Sequence, residues 1–182
     1  MKPIHSIFST LLVAFFLASC QAQEGKDIME TSNTTPEQPT AKVVKTEEEW
    51  KKLLTPEQFS VARKSGTERP NGPLYKQFKD QGKGTYYCVG CGAKLFSSVE
   101  KFDSRSGWPS FYAPAAAKNV DTKIDSSFGS VRTEVVCSKC DAHLGHVFEG
   151  EGFNTPTDQR YCINGIVLKF VPEKPEKNAT KE

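Results

Sequence analysis

At 182 residues the chain is long enough for one domain with appendages and short for two. Its formal charge of +2, from 24 basic and 22 acidic residues, excludes the basic field that nucleic-acid binding requires. A hydrophobic share of 37%, with 12 Phe and 5 Tyr, is ordinary and supplies one core.

The N-terminus opens with Met1-Lys2-Pro3-Ile4-His5, a positively charged start to the mostly apolar run 6–18. That run is too short to cross a bilayer and reads as the core of a signal peptide. It closes on Leu17-Ala18-Ser19-Cys20, which resembles the bacterial lipobox, whose cysteine receives a diacylglycerol and becomes the first mature residue. The expectation is a signal peptide over 1–19 and a lipoprotein held at Cys20. It would face away from the cytoplasm, on the cell membrane or outer membrane. The alternative is an ordinary cleavable signal that happens to end near a cysteine.

Residues 20–45 are polar and rich in Pro and Thr, and the tail 172–182 has the same character. Neither offers enough apolar surface to offset the entropy of ordering, so both read as flexible. The domain expected between them covers 46–171.

Two helical signals open the domain. In 45–54, Trp50, Leu53 and Leu54 fall on one face, and Thr55-Pro56-Glu57-Gln58 then offers an N-cap, a first-turn proline and a capping-box partner. A third short helix is expected over 74–78. After Gly84 the character changes to short β-branched and aromatic runs at 85–89, 120–124, 131–137, 143–148 and 161–171, separated by Gly, Pro and Ser. The predicted class is mainly β and antiparallel, with small N-terminal helices packed on it.

Four of the six cysteines pair as Cys88-x-x-Cys91 and Cys137-x-x-Cys140, each on a tight turn. Four thiolates at tetrahedral angles make a closed structural Zn2+ site with no open position. Disulfides within Cys-x-x-Cys would be strained and redox-active rather than stapling. Haem attachment would need a histidine where Gly92 and Asp141 stand. The 45 residues between the pairs mean that the metal would tie distant strands together.

Cys162 is the thiol left over. Arg160 precedes it by two residues and Asn164 follows by two, a spacing that suits a nucleophile on a strand. His143 and His146 are its natural proton donors near neutral pH, although for an isolated pair a core or surface role is the commoner reading. With no carboxylate at ligand spacing, a catalytic zinc at these histidines is not expected. Trp108, held between Gly107 and Pro109, is by itself most often a core residue. Its ring face also suits a methyl group beside a polarised sulfur.

These segments resemble the methionine sulfoxide reductase B family. The resemblance rests on Tyr87-Cys88-Val89-Gly90-Cys91-Gly92, Ser106-Gly107-Trp108-Pro109-Ser110-Phe111, Val131-Arg132-Thr133-Glu134-Val135, Cys137 through Phe148, and Arg160-Tyr161-Cys162-Ile163-Asn164, all in family order. It implies a tent-like pair of antiparallel sheets and reduction of methionine-R-sulfoxide, free or in proteins. Cys162 would attack the sulfoxide sulfur and end as a sulfenic acid. His146 and His143, with Asn164, would protonate the oxygen, Arg160 would lower the thiol pKa, and Trp108 and Phe148 would wall in the substrate methyl. Glu149 or Glu151 stands where members carry an acidic residue after His-Val-Phe.

The chain departs from many members at Ser106, where a resolving cysteine is common, and at Gly165, where serine is common. A monomeric one-cysteine enzyme served by an external thiol or thioredoxin-like protein is therefore expected. The reading from a different class is a zinc-ribbon binding module without turnover, which would have no use for a reactive thiol beside His and Arg. A thiol peroxidase would consume peroxide without any sulfoxide.

Overall fold

The computed structural model describes residues 41–174; the signal segment, Cys20, most of the 20–45 stretch and the end of the tail lie outside the described residues. Each of the three α-helices among the described residues is fixed at its start by a cap or a proline. In α1 (Glu47–Leu53) the Thr46 hydroxyl accepts from the Glu49 amide while the Glu49 carboxylate accepts from the Thr46 amide, and Trp50 is its buried residue. In α2 (Pro56–Lys64) Thr55 and Gln58 repeat this box, burying Phe59, Val61 and Ala62. The chain leaves α2 through Ser65 in the left-handed region (φ 53°). The third helix, α3 (Pro73–Asp80), buries Tyr75 and Phe78 and runs past the expected 74–78. Its last carbonyls are closed by the Lys101 ammonium, which reaches Phe78 and Gln81. No helix among the described residues is long and apolar enough to cross a membrane.

Nine strands form two antiparallel sheets among the described residues. β1 (Gly84–Cys88), β2 (Lys94–Ser97) and β9 (Leu168–Pro172) make the smaller one, ordered β2-β1-β9. The larger holds β3 (Lys101–Phe102), β4 (Ser110–Phe111), β5 (Val120–Asp125), β6 (Arg132–Cys137), β7 (His143–Glu149) and β8 (Gln159–Ile163), ordered β3-β4-β8-β7-β6-β5. The mainly β class, the two antiparallel sheets and the short helices are as the sequence predicts. One correction concerns 161–171, read from its pattern as a single run. It is two strands in different sheets, parted by Asn164 and a 3-10 turn at Gly165–Val167.

The sheets meet through aromatic side chains. Phe96 of β2 stacks on Phe111 of β4 with ring centroids 4.5 Å apart, and Tyr86 of β1 meets the same ring edge-on at 5.1 Å. Such pairs add about 0.5–1.5 kcal/mol each beyond area burial. Leu95, Leu144, Ile163 and Val135 complete a fully enclosed core. The side chains of the larger sheet that point away from this core build the site.

Candidate functional site

Strand register sets the site. Across β7 and β8, His146 pairs with Cys162 and Phe148 with Arg160. Directly paired residues point to the same side, and side chains repeat every second residue, so these four share one face. Glu134 pairs with His146 across β6 and β7, while Asp125 pairs with Arg132 across β5 and β6. The charged groups thereby fall on that face as well.

In a regular strand His143 and His146, three apart, would point to opposite sides. The β6/β7 register slips between Val135 and Val136, so that Leu144 is the extra residue of a bulge. The bulge brings the two imidazoles to 5.5 Å between centroids. Gly145 is required beside it, because a Cβ there would sit 2.0 Å from the Cys162 carbonyl oxygen.

Cys162 is half-buried and opens on a cavity of about 140 Å³ lined also by Thr67, Trp108, Arg132, Gly145, His146, Phe148 and Asn164. That is small beside the few hundred Å³ of a typical ligand pocket, and is suited to one side chain rather than to a nucleotide or large cofactor. Among the residues predicted from sequence, Cys162, His146, Asn164, Trp108 and Phe148 meet here. His143 and Arg160 do not line the cavity. His143 stands behind His146, 4% exposed, with Nδ1 2.7 Å from Glu134 Oε1. Burial lowers its pKa while the Glu134 carboxylate opposes this, so the ring is biased toward the neutral form. His146 Nε2 donates to Asp125 Oδ2 at 2.8 Å. The hydroxyl of Ser127, then His146, holds the Asp125 carboxyl well below its usual range.

Arg160 makes a bidentate pair with Glu151 at 2.7 and 2.8 Å and lies over the Phe148 ring at 4.6 Å. Glu149 instead accepts from Gln159, so of the two candidate acids it is Glu151 that reaches the arginine. Arg160 acts on the thiol pKa in the expected direction, without deciding the outcome. Its charge lowers that pKa, as does the Ser106 hydroxyl 4.0 Å from Sγ, but burial is larger and the Cys162 pKa ends raised. Asn164 is also more committed than the sequence suggests. Its Oδ1 accepts from the Glu68 amide (3.0 Å) and its Nδ2 donates to the Leu144 carbonyl (3.1 Å).

Asp125, Glu134, Thr67 and Glu68 escaped the sequence reading. Asp125 and Glu134 carried a signal in principle, since 134 and 132 alternate on a predicted strand. Their partners lie 21 and 9 residues away and only the register reveals them.

The other four cysteines of the described residues gather at the far end of β1 and β6. Their sulfurs all lie within 4.8 Å of one another, with Cys88 to Cys140 at 3.7 Å and Cys91 to Cys137 at 3.5 Å. Sulfurs about 2.3 Å from a tetrahedral zinc stand about 3.8 Å apart, so the set fits one such ion. The two turns are near copies. Gly92 and Asp141 both take positive φ, each donating its amide to the first cysteine's carbonyl, at 2.9 and 2.8 Å. The first cysteines, Cys88 and Cys137, donate to Ala93 and Ala142. Hydrogen bonds from Cys137, Cys140 and Cys88 hold the Cys91 thiol far below its ordinary range, and the same crowding pushes Cys88 far above it. Four sulfurs this close could share one cation. Arg63 seals the outside by donating to the Cys140 carbonyl at 2.7 Å while covering the Trp50 ring.

The sequence of this chain is similar to that of known proteins. The SelR domain family model covers residues 54–172. The peptide methionine sulfoxide reductase MsrB of Leptospira interrogans serogroup Icterohaemorrhagiae serovar Lai is 54% identical over 132 residues, which are 72% of this chain and 97% of that protein. A Methanosarcina barkeri protein of the same name is 53% identical over 133 residues, 72% of this chain and 90% of its own length. The chloroplastic peptide methionine sulfoxide reductase B2 of Arabidopsis thaliana is 46% identical over 153 residues, spanning 83% of this chain and 70% of that protein.

Proposed function

The chain belongs to the SelR-domain family of methionine sulfoxide reductases B, and we propose that it reduces methionine-R-sulfoxide, free or in proteins, with Cys162 as nucleophile. The observation that carries this reading is the small cavity on which one thiol, one imidazole and two aromatic rings converge. Trp108 and Phe148 offer the substrate methyl two apolar faces. The Cys162 thiolate attacks the sulfoxide sulfur, and the sulfoxide oxygen takes a proton from His146, whose ring Asp125 orients through Nε2. The oxygen passes from one sulfur to the other. Methionine leaves reduced by two electrons and Cys162 remains as a sulfenic acid, oxidised by two.

Two equivalents of an external thiol, or one thioredoxin-like dithiol, return the sulfenic acid to the thiol with release of water and a disulfide. Ser106, whose Oγ lies 4.0 Å from Cys162 Sγ, has no thiol with which to intercept it. Cys88, Cys91, Cys137 and Cys140 would hold one Zn2+, their sulfurs being close enough for a single ion. The ion supplies cross-linking of β1 to β6, and none of the chemistry passes through it. In the same reading Cys20 carries the lipid that anchors the enzyme, outside the cytoplasm, to the cell membrane or outer membrane. A Cys20→Ala chain should leave the membrane fraction, and retention there after export would contradict this.

The test of the activity is single turnover of zinc-loaded protein on the separated epimers of a methionine sulfoxide. The R epimer should be consumed stoichiometrically, the S epimer left, and Cys162→Ser inert. Equal consumption of both epimers, or full activity in the serine variant, refutes the assignment.

A further inference from the structure

Glu68 lies in the connector between α2 and α3, outside any helix or strand, yet it makes four hydrogen bonds to the walls of the Cys162 cavity. Its amide donates to Asn164 Oδ1 at 3.0 Å, and its carbonyl accepts from Trp108 Nε1 at 3.1 Å. Its carboxylate accepts two backbone amides, Gly165 on Oε1 at 2.7 Å and Ile166 on Oε2 at 2.9 Å. These partners are the substrate wall on one side and the turn that follows the nucleophile on the other. The neighbouring residue, Thr67, lines the cavity itself, and Asn71 of the same connector donates to the Gly107 carbonyl at 2.9 Å, just before Trp108.

We propose that Glu68 is a positioning residue that holds the Trp108 ring and the Cys162–Asn164 turn at a fixed separation, so that a bound sulfoxide sulfur lies in line with the thiol. This rests on the sulfoxide-reductase reading of the cavity. Burying a carboxylate is costly unless its lone pairs are met. Burial pushes the Glu68 carboxyl up, and the two amides act against that shift. An apolar side chain here would leave the Gly165 and Ile166 amides without partners. A glutamine would keep one acceptor and turn its amino group toward the other amide.

The carboxylate is the part that mutation removes; the two main-chain bonds of Glu68 survive any substitution. Relaxing the turn therefore moves the nucleophile relative to the ring without removing Arg160, Ser106 or Glu151, the groups that act on the thiol's pKa. Displacements near 1 Å at a reacting pair cost on the order of 100-fold in rate.

The experiment uses zinc-loaded Glu68→Gln, Glu68→Asp and Glu68→Ala chains. Turnover of the R epimer should fall about 10- to 100-fold in Glu68→Gln and further in Glu68→Ala. The pH profile for alkylation of Cys162 by iodoacetamide should stay that of wild type. The tryptophan fluorescence change on adding sulfoxide, which reports Trp108 meeting the substrate, should shrink. Wild-type turnover in all three variants overturns the proposal. So does a parallel loss of turnover, alkylation and unfolding midpoint, which marks a merely structural residue. If Glu68→Ala does not fold, the Gln and Asp variants decide. Should the wild type itself fail to reduce the R epimer, it is the functional reading that falls, independently of how the Glu68 variants compare in alkylation.

Discussion

The two cysteine regions of this molecule use one functional group for opposite ends. At the knuckles four sulfurs lie within 4.8 Å of one another, on two turns that repeat the same backbone contacts at their first cysteines. On β8, inside the larger sheet, a single sulfur faces a cavity, with a hydroxyl at 4.0 Å and an imidazole on the paired position. In the first region four thiols stand close enough to share one cation. In the second isolation leaves the thiol free to meet a substrate. Neighbours, rather than the thiol itself, decide between staple and nucleophile.

The largest expected effect breaks the first region alone. Cys137→Ser removes one of four ligands from a site that joins β1 to β6, and structural zinc binding is worth about 10–16 kcal/mol in small zinc domains. The variant should lose its metal and its cooperative thermal transition, whereas Cys162→Ser should keep both. Metal analysis with thermal unfolding of the pair checks this. Equal stability of the two serine variants would erase the distinction.

The next effect couples fold to nucleophile. Gly145→Ala forces a methyl to within 2.0 Å of the Cys162 carbonyl oxygen, so β8 has to move. We expect a stability loss of about 3 kcal/mol by denaturant titration, with turnover down about 100-fold and metal content unchanged. Retention of normal turnover would show that the β7–β8 spacing is not what aims the thiol.

The smallest effect concerns the thiol's charge. The Cys162 pKa is raised by burial and pulled back by Arg160. Removing the cation in Arg160→Met takes away the lowering influence and leaves Glu151 unpaired, which pushes the same way. The alkylation profile should shift to higher pH, and one pKa unit is a tenfold loss of thiolate at neutral pH. A shift to lower pH would reverse the assigned sign.

Much of this was legible in the sequence where the signal is local. Both knuckles show as Cys-x-x-Cys, and the box of Thr55 and Gln58 marks the start of α2 as drawn. What escaped was non-local. β3 and β4 are two residues each and exist only through their partners. From 161 to 171 the apolar and aromatic pattern is broken only by Asn164-Gly165, a turn dipeptide that is the one local sign of the change of sheet. The shared face of His143 and His146 depends on a bulge at Leu144, and the carboxylates that hold them sit on other strands. Glu68 lies on a connector with no periodicity at all, and its importance appears only in its contacts.

The most direct measurement is to trap the product on the enzyme. After one turnover of zinc-loaded protein with methionine-R-sulfoxide and no reductant, dimedone labelling and peptide mass mapping should place one adduct on Cys162. The four knuckle cysteines should remain unmodified and metal-bound. An adduct on a knuckle cysteine, or a disulfide joining Cys162 to any of them, would contradict the division of labour between the two regions.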